Sequence, residues 1–493
     1  MAHYLVTCCR RVGLPLWLAV LLLPAISCRV PAPPALPPDP APTSDLWSPP
    51  PVAGAEALPA APRYAIDLVV DPLGAVVTGR QEVHYINAEE AVLDDLYLRL
   101  FPNTPGYGAT MTVTQALLAG QPVTPVAELA GSALRLPLTP PLASGDALTL
   151  SLDFTVAVPL SDVIGYAQLS YIDGVMALAN VYPLIPVYDD EGWNVELAPE
   201  YGDAVYADVA AYAVRVSAPP TMTLVASGAC TAVEAGEWTC QAAPVREFAL
   251  FLRADYRQLT RVVDGVAINS YYYPGHELGG QRALQVAVDA LTTYSQLFGP
   301  YPYEELDVVE TPTRAGGIEY PGLVVIAAQF YTAGDWLEWI VAHEVAHQWW
   351  YAVVGNDQVD EPWLDEALAQ YSTLLYYEAV YGTDTAIAVL EEQFVRAHEE
   401  LIARRVDMPV GLPVVAYGRE LYGPVVYHKG PLYFQALRER VGDPTFFAIL
   451  RAYYRRHTFR IATADSFLTT VKIVAGDAHT DLFEKWIAGV TGQ

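Results

Sequence analysis

The run Trp339-Ile-Val-Ala-His343-Glu344-Val-Ala-His347-Gln-Trp-Trp350 decides how the rest of the chain folds. Its apolar pattern predicts a helix over 335–353, with Asp335 near the N-terminus and Gly355 just past the C-terminus. Residues four apart share one helical face, so the imidazoles of His343 and His347 can converge on a single ion. Glu344 projects about 100° around the axis from His343. It stands beside that ion, where a carboxylate can take a proton from zinc-bound water. Two His and a Glu on an apolar helix also arise by chance, and a third ligand decides the matter. Glu361-Pro362-Trp363-Leu364-Asp365-Glu366-Ala367 opens a second predicted helix, 362–381, with Pro362 suited to its first turn. Eighteen residues lie between His347 and Glu366, enough to end one helix, turn, and aim the next back. Two His and one Glu, with water in the fourth position, form the hydrolytic zinc arrangement. One zinc ion on His343, His347 and Glu366 is therefore expected, with Glu344 as general base. Asp365 is the rival carboxylate and is expected to face away.

Outward from this centre, the chain divides by pattern. From Tyr64 to about Tyr256 short strands dominate: Tyr64 to Val70, Val76 to Tyr85, Leu96 to Leu100, Leu148 to Val156, Tyr212 to Val216 and Phe248 to Leu252. An antiparallel, sandwich-like β domain over 63–256 follows from this. Gln281 to Phe298 has helical spacing, and Glu305 to Glu310 reads as a strand. Beyond the two ligand helices, further helices are expected near 384–404, 428–441, 444–456, 464–474 and 479–488. The fold class is multidomain α+β, with a mostly α-helical catalytic domain over 257–493.

The first sixty residues read as targeting rather than fold. Arg10 and Arg11 precede the apolar run Leu14 to Ile26, which ends in Ala25-Ile26-Ser27-Cys28. Residues 1–27 are expected to be a signal peptide, and Cys28 resembles a lipobox cysteine that would carry a membrane anchor. Residues 28–62, rich in Pro and Ala, make an extended tether. Of five cysteines, only Cys230 and Cys240 fall in the folded part, and in an exported chain they are expected to pair across a hairpin. Apolar residues are 53%, charged residues 17%, and the net charge is −29, which builds large cores and repels polyanions. Nucleic acid is excluded as a partner on that ground.

The motifs resemble the aminopeptidase N and leukotriene hydrolase family of gluzincin peptidases, over most of the chain beyond the tether. The eighteen-residue gap matches that family better than thermolysin, whose catalytic architecture it shares. Gly316-Gly317-Ile318-Glu319-Tyr320 resembles the family's Gly-x-Met-Glu-Asn strand, in which the Glu binds the substrate's free α-amino group. The resemblance thus implies substrate-binding roles for Gly316, Gly317 and Glu319. Tyr427-His428-Lys429-Gly430 resembles the Tyr-x-Lys-Gly motif, whose Tyr donates to the developing oxyanion. That implies a catalytic role for Tyr427 at the start of a helix, with Tyr422 as the nearest competitor. Ile318 and Tyr320 depart from the Met and Asn of the pattern. The β domain lacks the Glu-Ala-Arg element that supplies many relatives with a second carboxylate. Tyr182-Pro183 and Asp189-Asp190-Glu191 lie where it would be expected. The chain ends soon after Trp486, leaving no room for the large C-terminal helical-repeat domain of many relatives, so a cleft open to longer peptides is expected. The reading is an exported zinc aminopeptidase acting on peptides. A zinc endopeptidase and an inactive peptide-binding surface lipoprotein are its alternatives.

Overall fold

The computed structural model describes residues 59–161, 165–197, 199–333 and 336–489. The leader, Cys28, most of the tether and Asp335 lie outside the described residues. Strand Arg63–Asp71 alternates, burying Tyr64, Ile66, Leu68 and Val70 on one face. It sits at the centre of an eight-stranded sheet, antiparallel to Val76–Ile86 and parallel to Ala210–Ser217. The sheet is thus mixed where an antiparallel one was expected. Strand order is not visible in local alternation, because both pairings bury the same face.

A three-stranded sheet (Leu93–Arg99, Ala133–Leu142, Val126–Glu128) packs its apolar side into the same core. A four-stranded sheet of Thr223–Ala226, Ala249–Arg253, Val175–Ala179 and Leu169–Ile172 adds Met176, Leu178, Leu250 and Leu252 to it. The other face of that sheet, through Val175, Ala177, Ala249 and Phe251, meets a second layer. Val175–Ala179 is consequently buried at every position, as a strand covered on both sides must be.

That second layer is a five-stranded mixed sheet, ordered Arg257–Val263, Val266–Tyr272, Glu305–Thr311, Leu323–Ala327, Gly317–Tyr320. The pattern anticipates its Glu305–Thr311 strand, as Glu305 to Glu310, and the family resemblance anticipates Gly317–Tyr320. Ile318, Tyr320 and Val325 pack against the β domain, while Ile268, Val308, Val324 and Ile326 face the helices. The crossover helix Glu277–Leu297 lies on this helical side, joining the parallel strands Val266–Tyr272 and Glu305–Thr311.

Helix limits differ from expectation at three places that matter. The first ligand helix spans Leu337–Ala346 and stops with His347 at its C-cap, short of 353. The second begins at Glu366 rather than Pro362, because residues 362–365 form a turn. In place of one helix over 428–441, Val414–Tyr422 leads into a π-helical segment, Gly423–Lys429, and then Pro431–Val441. Tyr427 therefore lies inside the π-helical segment. Cys230 and Cys240 are cross-strand neighbours in a hairpin and are joined by a disulfide. Among the described residues no helix is long and apolar enough to cross a membrane.

Candidate active site

The first ligand helix is held on its apolar side by Leu337, Val341, Ala342, Val345 and Ala346, all buried. The crossover helix adds a bond from the Tyr294 hydroxyl to the Ala342 carbonyl, 2.9 Å. The opposite side carries His343, Glu344 and His347. The second ligand helix returns Glu366 to the same point. Nε2 of His343 and Nε2 of His347 stand 3.1 Å apart, and Oε2 of Glu366 is 3.2 Å from the first and 3.4 Å from the second.

This triangle fits a zinc ion. Tetrahedral bonds of about 2.0–2.1 Å place neighbouring ligand atoms roughly 3.3 Å apart. Nδ1 of His347 faces the Trp350 carbonyl at 3.0 Å, so that nitrogen carries the hydrogen and Nε2 presents its lone pair. Oε2 of Glu366 is buried and has no hydrogen-bond donor of its own, which suits a metal ligand.

Carboxylates crowd the same cleft, whose volume is about 550 Å³. Glu344, Glu319 and Asp203 line it beside the three ligands. Oxygens of Asp203, Glu319 and Glu366 lie within 4.8 Å of one another. Burial pushes Glu344 well above the usual carboxyl range, and the charges of Glu319 and Glu366 add to the effect. Burial does the same to Asp203, again with help from Glu319 and Glu366. So much buried negative charge is tolerable only with cations to meet it. A divalent ion and a substrate ammonium would answer that need.

Strand alternation explains the departures at Ile318 and Tyr320. Those two side chains face the β domain, where the Tyr320 ring lies 5.8 Å from that of Phe251. Positions 317 and 319 face the cleft instead. Gly316 has φ 103°, which an L side chain rarely adopts, and a Cβ on Gly317 would overlap the Glu344 carboxylate. Gln358 donates to Glu319 at 3.0 Å and to Asp365 at 2.8 Å. Asp365 does not face away from the site. It is fully buried, held also by Asn356 at 3.0 Å, and has an oxygen within 4.8 Å of His347 and Glu319 ligand atoms.

Tyr427 lines the cleft with its ring 6.1 Å from that of His343, and Tyr422 stands 5.6 Å from Tyr427. Burial, and then the Glu366 carboxylate, holds the Tyr427 hydroxyl well above its ordinary pKa, so it stays a donor. The rest of its motif is structural. Lys429 is buried and donates 2.6 Å bonds to Asp407 and to the Met408 carbonyl. Gly430 allows contact with the ligand helix, since a Cβ there would come 2.5 Å from that of Ala367. The extra residue in a π-helical turn suits a segment that must aim one side chain into a cleft.

Asp203 was not anticipated. It sits in an irregular stretch of Gly, Ala and Tyr, where neither periodicity nor motif marks it. Tyr182-Pro183 and Asp189-Asp190-Glu191, which stand where the Glu-Ala-Arg element would be expected without matching it, are not among the residues that line the cleft. Tyr182 is in the β core, where its hydroxyl oxygen accepts a hydrogen bond from the Phe248 backbone N–H at 2.9 Å, and Asp189 ends the two-residue strand Tyr188–Asp189.

Comparison with known proteins agrees with this geometry. Residues 282–486 match the model of the peptidase family M1 domain. The chain is similar to aminopeptidase M1-B of Oryza sativa subsp. japonica, 25% identical over 45% of this chain and 27% of that protein. It is similar to endoplasmic reticulum aminopeptidase 2 of Homo sapiens, 25% identical over 45% of this chain and 24% of that protein. It thus spans about a quarter of the length of these curated relatives. In fold it is similar to an M1 zinc metallopeptidase from Deinococcus radiodurans, with TM-score 0.64 and 23% identity, covering 88% of this chain and 95% of the other. Motifs and domain match agree on one stretch: residues 282–486, less than half of the chain, are similar to the peptidase family M1 domain.

Proposed function

We propose that this protein is a zinc aminopeptidase, with a β domain over 63–256 and a catalytic domain over 257–493. One observation carries the reading: the ligand triangle, Glu344, and the paired carboxylates Glu319 and Asp203 share one buried cleft. His343, His347 and Glu366 would hold the ion, which when bound supplies Lewis acidity toward water and the scissile carbonyl. Glu344 takes the proton of the attacking water and passes it to the leaving amine. Tyr427 donates to the oxyanion. Glu319 and Asp203 meet the free α-ammonium, which fixes cleavage at the first peptide bond.

Acetylating a peptide's N-terminus removes that ammonium, and cleavage is expected to fall by about 100-fold, the loss of a buried charge-assisted contact. Undiminished cleavage of acetylated peptides would make the enzyme an endopeptidase. Asp203→Asn is expected to lower kcat/KM for free-amine peptides roughly 10- to 100-fold, chiefly through KM. A Michaelis analysis on aminoacyl substrates reads this directly.

Tyr427→Phe is expected to lower kcat about 10²- to 10³-fold with little change in KM, because its bond forms in the transition state. Tyr422→Phe is expected to cost less than tenfold in the same assay. The reverse order would transfer the oxyanion role to Tyr422.

The leader and Cys28 support export and a lipid tether, a reading from sequence alone. Cys28→Ala is expected to release the protein from the membrane fraction on cell breakage, and retention there would count against the anchor.

A further inference from the structure

Arg246 follows directly on strand Glu237–Val245 of the β domain and is 2% exposed. Among the described residues it forms no ion pair. Its guanidinium instead donates to four backbone carbonyls: Tyr351 at 2.8 Å, Ala207 at 3.0 Å, Arg460 at 2.8 Å and Val353 at 3.4 Å. These carbonyls come from the β domain, from the turn after the first ligand helix, and from the short strand Arg460–Ile461. A rigid fork of five N–H donors can join three segments in this way, whereas an ammonium, a point charge, cannot reproduce the geometry.

The turn that Arg246 grips is strained. Tyr351 has φ 147°, in the region that favours glycine. Such a residue persists when its surroundings hold it from several directions. Arg246 takes its carbonyl, and the adjacent Glu247 accepts a hydrogen bond from its hydroxyl. Glu247 is itself held by Asn180 at 2.5 Å. Two consecutive β-domain residues therefore fix both ends of Tyr351.

The peptide group joining Trp350 to Tyr351 carries the carbonyl that faces Nδ1 of His347. Its direction sets the tilt of the imidazole, and so the direction of the Nε2 lone pair toward the other two ligands. Gly355 completes the arrangement from the opposite side, because a Cβ there would overlap the Arg246 guanidinium. Its backbone is outside the left-handed region, so alanine is excluded by the arginine rather than by strain.

We propose that Arg246 is a positioning residue for the metal ligand His347, acting across the domain boundary through the Tyr351 peptide. The inference rests on the zinc-site reading above. It makes the β domain part of the metal site as well as a wall of the cleft.

The test measures zinc affinity of the full chain by competition with a chelating dye, alongside Tm. Arg246→Lys and Gly355→Ala are each expected to raise the zinc Kd about 10- to 100-fold, the usual effect of disturbing a group that orients a ligand. Tyr256→Phe loses the 2.8 Å bond to the Glu310 carbonyl, elsewhere at the domain junction, and is expected to lower Tm with zinc Kd unchanged. A zinc Kd equal to the parent's in a folded Arg246→Lys or Gly355→Ala protein would overturn the proposal, however far Tm falls. Should Arg246→Lys not fold, Gly355→Ala decides. The readout is binding rather than turnover, so failure of the aminopeptidase activity would leave this result unmoved.

Discussion

Glu344→Gln is expected to lower kcat by about 10⁴, the upper end of the range for general acid–base catalysis, with zinc content unchanged. The upper end applies because one carboxylate serves two proton transfers, first from water and then to the leaving amine. Gln preserves the shape of Glu344 and its place next to Gly317, where no side chain competes for the space. The metal triangle is made by His343, His347 and Glu366 alone, so the substitution leaves it intact. Metal analysis beside turnover of an aminoacyl substrate separates the two roles. A variant that keeps more than about a tenth of parental kcat would remove Glu344 from the chemistry. A variant that loses its zinc would make Glu344 part of the metal's support instead.

The legible part of the site is the part written at helical or strand period. His343 and His347 share a face because they are four apart, a fact local spacing carries, whereas Glu319 is marked by the resemblance of its motif. The structure brings all three to one cleft, with Glu319 on the same side of its strand as Gly317. Glu366 was legible as well, since a turn of eighteen residues has room to return.

What was not legible depends on contacts between distant segments. Asp203 reaches the cleft from an irregular stretch more than 100 residues before Glu319. Asp365 has the same chemistry as Glu366 and one residue's difference in position. Its burial follows from Asn356 and Gln358, which no periodicity predicts. The first ligand helix stops at Ala346 although its apolar run continues, because Trp349, Trp350 and Tyr351 are buried in a turn rather than on a helix. That turn is held by Arg246 from the β domain. The uniformly buried Val175–Ala179 likewise shows no alternation, since layers cover it on both sides.

Removing zinc with a chelator is expected to reduce activity by more than about 10⁴, because the Lewis acid and the low water pKa are lost together. Re-adding zinc should restore it. The same treatment is expected to lower stability, by about 2.7 kcal/mol relative to protein with free zinc at 100 times its Kd. The loss should grow with pH. Burial, and then the Glu366 charge, raises Asp365 to about 7 in the zinc-free fold. Glu344 and Asp203 are raised as well, in both cases first by burial. A carboxyl whose folded pKa is raised contributes its stability fully below the unfolded value, near 4, and loses it as pH climbs through the folded value. For Asp365 that window runs from about pH 4 to about 7. Zinc affinity moves the Tm difference the same way, since protons compete with the metal for His343 and His347 at low pH. The Tm gap between zinc-loaded and chelated protein is therefore expected to widen from pH 5 to pH 8, as scanning calorimetry would record. A gap that narrows over this range would mean that the buried carboxyls are compensated by something other than the ion.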